Sequence, residues 1–158
     1  MMQTRIPKLM LGTSPFIGAA QFGRKAYEYR KMFFYNESNM KKLFIKSALL
    51  DVKAVQLIVY EPLAKALKEA EKEIGEQFFI AATITSGRKF ERDLNLIKPL
   101  KPEIIAIHAL FCDALDPRIE GWIKKIRDLG ASPAASTHYP GETIEEIDKA
   151  GFDFDVYL

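Results

Sequence analysis

Apolar residues fall along this chain in two alternating rhythms. Short, nearly continuous apolar runs stand at 8–14, 54–60, 78–85, 103–109, 132–138 and 152–158. Val55-Gln56-Leu57-Ile58-Val59 and Ile104-Ile105-Ala106-Ile107 are the plainest of them. A strand loses its polar alternation when both faces are covered, which is the condition of a parallel sheet. Between the runs, apolar residues recur with the 3.6-residue period of a helix that rests one stripe on a sheet. Leu63, Ala66, Leu67, Ala70 and Ile74 form one stripe, opened by Glu61-Pro62 and closed by Gly75. Ile119, Trp122, Ile123, Ile126 and Leu129 form another, opened by Asp116-Pro117 and closed by Gly130. Met40, Leu43, Phe44 and Ala48 predict a first helix after Asn39, and Phe90, Leu94 and Ile97 a weaker one ending at Pro99. Thr143 and Glu146 have capping-box spacing ahead of Ile147, which predicts a last helix ending at Gly151.

The order is strand–helix repeated five times, then a sixth strand, so right-handed crossovers follow. The expected fold class is α/β, a parallel (β/α)8-type barrel, with an open doubly wound sheet as the alternative. A barrel of about 250 residues uses about 31 per unit. On that spacing 158 residues hold about five and a half βα units. The expected organisation is therefore a single TIM-barrel-like domain over 1–158, truncated at the C-terminus. The run 152–158 reads as a strand that simply stops. An uncovered edge of this kind seeks a partner, which predicts a homo-oligomer formed through exposed strand edges.

Composition narrows the class further. With 48% hydrophobic and 28% charged residues, the chain fits a globular domain and not a disordered one. Lys and Arg number 23 against 21 Asp and Glu, so the whole chain carries no polyanion footprint, and nucleic acid is not the expected partner. The single Cys112 cannot form an internal disulfide, which suits a reducing, cytoplasmic setting. The longest uncharged run, 9–23, is broken by Gly12, Pro15 and Gly18, so no membrane span is expected.

In both architectures ligands bind at the C-terminal ends of the parallel strands. That rule selects His108, His138 and Tyr60 as candidate catalytic residues, and Thr13, Ser14, Glu61, Ser86, Asp113 and Thr137 as candidate substrate-binding residues. Imidazole titrates near neutrality and so suits proton transfer, which makes the only two histidines the centre of the set. They could instead be metal ligands, with Asp113, Glu61 or Glu142 supplying oxygens, but no local metal signature surrounds them. Cys112 also lacks one, and is read as buried or inert. No residue pattern specifies a cofactor.

The connection 15–39 is long for a βα loop and holds seven of the eighteen aromatic residues. It is either a substrate lid or a helical insertion at about 24–34. Gly18 and Gly23 have the spacing of a phosphate loop, but Arg24-Lys25 stands where Lys and a hydroxyl residue belong. Arg24, Lys25, Arg30, Lys31, Lys41, Lys42 and Lys46 stand against only Glu28 and Glu37 over 24–46, a balance that fits a solvated helix face better than a nucleic-acid surface.

Several strings together resemble the aldo-keto reductases. Leu9-Met10-Leu11-Gly12-Thr13 is similar to their first strand, and Tyr60-Glu61 with the following helix to their second unit. Phe79-Ile80-Ala81-Ala82-Thr83 and Ile105-Ala106-Ile107-His108 are similar to their third and fourth strands. The resemblance implies a barrel, and it places Tyr60 and His108 at the Tyr and His positions of that family's tetrad. Val55 and Ile84 stand at the Asp and Lys positions, so the resemblance does not imply a working reductase. The expected function is a barrel metabolic enzyme, or fragment of one, acting on a small polar metabolite at the strand ends. The alternative is a non-catalytic binding or assembly protein on the same scaffold.

Overall fold

A computed structural model describes residues 5–158 of the chain. It is an α/β fold with six parallel strands and, among the described residues, seven α-helices. The strands form one sheet in the order β1-β2-β3-β4-β5-β6, each beside its neighbour in sequence. They are β1 (Leu11–Gly12), β2 (Ala54–Ile58), β3 (Phe79–Ile84), β4 (Ile104–Ile107), β5 (Ser132–Ala135) and β6 (Val156–Tyr157). The helices are α1 (Lys25–Met32), α2 (Glu37–Leu49), α3 (Glu61–Ile74), α4 (Phe90–Ile97), α5 (Ala109–Cys112), α6 (Ile119–Asp128) and α7 (Pro140–Ala150). Among the described residues β1 and β6 are not paired with each other, so the sheet is not closed. The α/β class and the parallel sheet match the sequence reading; closure into a barrel does not follow from this chain. No helix among the described residues is long and apolar enough to cross a membrane.

The chain divides into two compact units, Met1–Ile80 and Ala81–Leu158. In the first, β1 pairs with β2 in the register Leu11 to Val55 and Gly12 to Gln56. Thr13 fastens that pair: its hydroxyl donates to the Gln56 carbonyl at 3.0 Å and accepts the Ile58 amide at 2.9 Å. Leu63, Ala64, Ala66, Leu67 and Ala70 bury one stripe of α3, as the period requires. Gly75 then ends the helix in the left-handed conformation, with φ 73°. Helix α2 starts at Asn36, whose side chain accepts the Asn39 amide, and buries Met40 and Phe44. Phe16 stacks on Phe33 at 5.0 Å and meets Phe44 edge-on at 5.5 Å.

The long connection is a helical insertion in its middle, since α1 occupies Lys25–Met32. That helix has no buried residue, and Tyr27 and Tyr35 are exposed. Gly18 and Gly23 both have positive φ and turn the chain on either side of the short 3-10 turn Ala20–Phe22. A side chain at Gly18 would collide with the Ala26 carbonyl and the Arg30 Cβ, so this glycine lets the loop lie against α1.

In the second unit, β4 pairs with β3 on one side and β5 on the other, with Ile107 beside Ile84 and Ala135. Pro133 sits inside β5 without disrupting it. The Ser132 and Ser136 amides face β4, donating to Glu103 and Ile107 carbonyls at 2.9 and 3.0 Å, and alternation turns the missing Pro133 N–H the other way. Helix α6 buries Ile119, Trp122, Ile123 and Ile126. It begins two residues later than Asp116-Pro117 suggests, because Asp116 accepts the Arg118 amide at 3.0 Å and forms a turn first. Helix α7 begins at Pro140, so the capping-box reading of Thr143 is corrected: Thr143 lies inside the helix, buried, and its hydroxyl bonds elsewhere.

Candidate functional site

Four of the sequence-selected residues meet at the C-terminal ends of β4 and β5. His108 follows β4 and caps the one-turn helix α5, with its ring Nδ1 accepting the Leu110 amide at 3.2 Å. Asp113 follows α5, its amide donating to the Ala109 carbonyl at 2.8 Å. Thr137 and His138 follow β5, and the Thr137 hydroxyl accepts the Tyr139 amide at 2.9 Å as α7 begins. Short loops on rigid strands thus fix all four side chains.

Asp113 is the hub of the cluster. Its Oδ2 faces His138 Nδ1 at 3.0 Å and also accepts the His138 amide at 3.2 Å. Its Oδ1 accepts the Thr137 hydroxyl at 2.6 Å and the Thr143 hydroxyl at 3.2 Å. Burial pushes the Asp113 carboxyl up, but the hydrogen bonds from Thr137, His138 and Thr143 outweigh it and hold the group below the usual carboxylate range. The carboxylate is therefore ionised near neutrality. An ionised carboxylate only accepts hydrogen bonds, so the ring hydrogen of neutral His138 is on Nδ1 and its Nε2 is a lone pair. The His138 side chain is 59% exposed, which leaves that nitrogen reachable.

His108 lies beside it, with ring centroids 6.0 Å apart and planes inclined at 70°. Partial burial pushes the His108 imidazole below its usual range, and the neighbouring His138 adds to the effect while Asp113 opposes it. His108 is accordingly held in its neutral form near pH 7. Leu110 and Tyr139, 66% and 63% exposed, are large apolar side chains next in sequence to this cluster.

The other candidates have surroundings of their own. Thr13 is completely buried, with its hydroxyl engaged by β2 as described. Tyr60 caps α3, is 38% exposed and meets Phe34 edge-on at 5.6 Å. Glu61 opens α3 and is exposed, and Ser14 is half-buried in the loop after β1. Ser86 is half-buried beyond β3 and makes no hydrogen bond to the His–Asp cluster among the described residues. Cys112 is buried, its thiol 3.4 Å from the Ile107 carbonyl, and burial pushes it up to about 12. A thiol so protonated is no nucleophile. Among the described residues no group of three or more His, Cys, Asp or Glu side chains is placed to hold a metal ion.

Sequence reasoning missed one member, Thr143. Its spacing to Glu146 pointed to a helix cap, and only the three-dimensional return of α7 past α5 reveals it as a donor to Asp113. The fold and this site define an α/β protein with an Asp–His pair at the carboxyl ends of two parallel strands. No protein-family model and no curated protein matches the chain.

Proposed function

We propose that the protein is an enzyme that performs acid–base chemistry on a small polar metabolite at the ends of β4 and β5. In this reading His138 Nε2 is the base, Asp113 holds its tautomer and stabilises the imidazolium, and His108 donates from its Nε2. Thr137 and Thr143 are positioning residues that fix the carboxylate. The observation that carries the reading is the 3.0 Å Asp113–His138 contact, in which both carboxylate oxygens are otherwise occupied by protein donors. A carboxylate held behind a histidine fixes the ring's tautomer and orientation, which is what a base requires.

The scaffold reading that goes with it is a sheet of the (β/α)8 type. Strictly sequential strand order supports it, because doubly wound sheets reverse order at the switch point where they bind ligands. The aldo-keto reductase likeness supports the scaffold only. At that family's Asp and Lys positions the chain has Val55 and Ile84, both buried aliphatic residues, so the charged partners of the family's tyrosine are not carried over.

The test is a nuclear magnetic resonance screen of hydroxy acids, oxo acids, sugars and amino acids with wild type and Asp113→Asn. The reading expects at least one compound to be transformed by wild type and left unchanged by the variant. Compounds that bind without being transformed would favour the non-catalytic scaffold, for which the exposed Leu110 and Tyr139 beside the cluster are the supporting observation.

A further inference from the structure

We infer that the compound taken by this site is an enolisable carbonyl compound: His138 Nε2 removes a hydrogen from the carbon next to the carbonyl, and His108 Nε2–H holds the carbonyl oxygen. The inference rests on the acid–base reading above and narrows it to a substrate class.

The argument is one of complementary tautomers. His138 presents its Nδ1 to a carboxylate, so in the neutral ring its outward Nε2 can only accept. His108 has its Nδ1 engaged as the acceptor of the Leu110 amide, so its hydrogen is on Nε2, which can only donate. The same backbone bond argues against His108 Nε2 as a metal ligand, since a neutral ring has one lone pair and Nδ1 is using it. Two rings 6.0 Å apart therefore offer one acceptor and one donor. A ligand that uses both must combine a hydrogen to give up with an oxygen that gains negative charge.

An enolisable carbonyl meets both demands in a single step. The C–H bond breaks and its proton forms a bond to His138 Nε2. The electron pair left behind becomes the carbon–carbon double bond, and the carbonyl π pair moves onto oxygen. His138 is then an imidazolium paired with Asp113, and the enolate oxygen accepts the His108 hydrogen bond. Both contacts strengthen as the reaction proceeds, which is what lowers a barrier. A neutral imidazole donor suits this task because it stabilises the oxyanion while keeping its own proton. Simple polyols supply the hydrogen-bonding groups but no site for the developing charge. The exposure of His138 adds a consequence: the captured proton exchanges with solvent before it returns.

The experiment follows from that exchange. Dihydroxyacetone, glycolaldehyde and pyruvate are incubated with the protein in D2O, with glycerol as the control, and loss of the C–H signals is followed by proton magnetic resonance. The expected rate exceeds that of free imidazole at equal concentration by about 100-fold or more for at least one carbonyl probe. His138→Gln should fall to the imidazole rate. His108→Asn keeps a side-chain acceptor for the Leu110 amide and so keeps the cap, but cannot reach the oxygen, and should lose about 10-fold or more.

Exchange no faster than imidazole for all three probes, in a protein whose spectra still show the Asp113–His138 hydrogen bond, overturns the substrate class and leaves the acid–base reading standing. Absence of that hydrogen bond overturns both. An undiminished rate in folded His108→Asn overturns the role of His108, as does an Nδ1–H tautomer of His108 in wild type should the variant not fold.

Discussion

Asp113 concentrates more of this account than any other residue. Its folded pKa lies below the ordinary carboxylate value of about 3.9, because hydrogen bonds from Thr137, His138 and Thr143 outweigh its burial. The stabilisation it supplies is complete above the unfolded pKa and is lost as pH falls through the lower folded value. Urea unfolding of wild type and Asp113→Asn should therefore differ most near neutrality, and the difference should shrink once the pH drops below about 4. A gap that stays constant down to acid unfolding would contradict the hydrogen-bonded carboxylate. Gly87, just beyond β3, carries a different kind of residue-scale constraint. A Cβ there would lie 2.8 and 2.9 Å from two Phe111 ring atoms and 3.1 Å from Trp122. Phe111 meets Trp122 edge-on at 5.2 Å, and Arg118 lies over both rings, so the ring has little room to yield. Gly87→Ala should cost about 1–3 kcal/mol in denaturant unfolding; an unchanged midpoint would show that the aromatic cluster repacks freely.

At the level of elements, long periodic segments were legible and short irregular ones were not. The stripes of α3 and α6 bury all the residues their period selects except the last of each, Ile74 and Leu129, which are half-buried, and the ends of α3 and α7 fall at Gly75 and Gly151. Helix α5 has four residues, fewer than two turns, so no period could announce it, yet it brings Asp113 to His138. The apolar runs at 8–14 and 152–158 overstate their strands, which are only Leu11–Gly12 and Val156–Tyr157; hydrophobicity marks burial, whereas a strand needs a neighbour in register. His108 and His138 could be selected from their strand-end positions, but their opposite tautomers could not, because these depend on Leu110 and Asp113 approaching in space. Strand β6 also depends on a distant side chain. Arg127 of α6 donates through Nη2 to the Asp153 carbonyl at 2.8 Å and to Asp155 Oδ1 at 2.8 Å, and through Nη1 to Asp155 Oδ2 at 3.1 Å. Arg127→Ala should therefore speed hydrogen exchange of the Leu158 amide, bonded to Ala135 at 2.8 Å, while leaving β4 amides protected. Equal acceleration in β4 would mean that Arg127 supports the whole unit and not its edge.

For the whole molecule, the parallel sheet sets two expectations. Strands β1 and β6 each have a single paired neighbour among the described residues, which leaves ladder groups on their outer sides for another strand. We expect self-association through these edges, seen as a concentration-dependent mass above 18.0 kDa in light scattering; a constant mass of one chain across the accessible concentration range would contradict it. The sheet also carries the segments that hold His108, Asp113 and His138, so the proposed site is built on the fold and not on a mobile appendage. The most direct measurement of that central claim is a nitrogen–proton correlation spectrum of the histidine rings at neutral pH. The account predicts His138 protonated at Nδ1 with a hydrogen-bonded, slowly exchanging proton that is lost in Asp113→Asn, and His108 protonated at Nε2. A His138 ring carrying its hydrogen on Nε2, unaffected by Asp113→Asn, would contradict it.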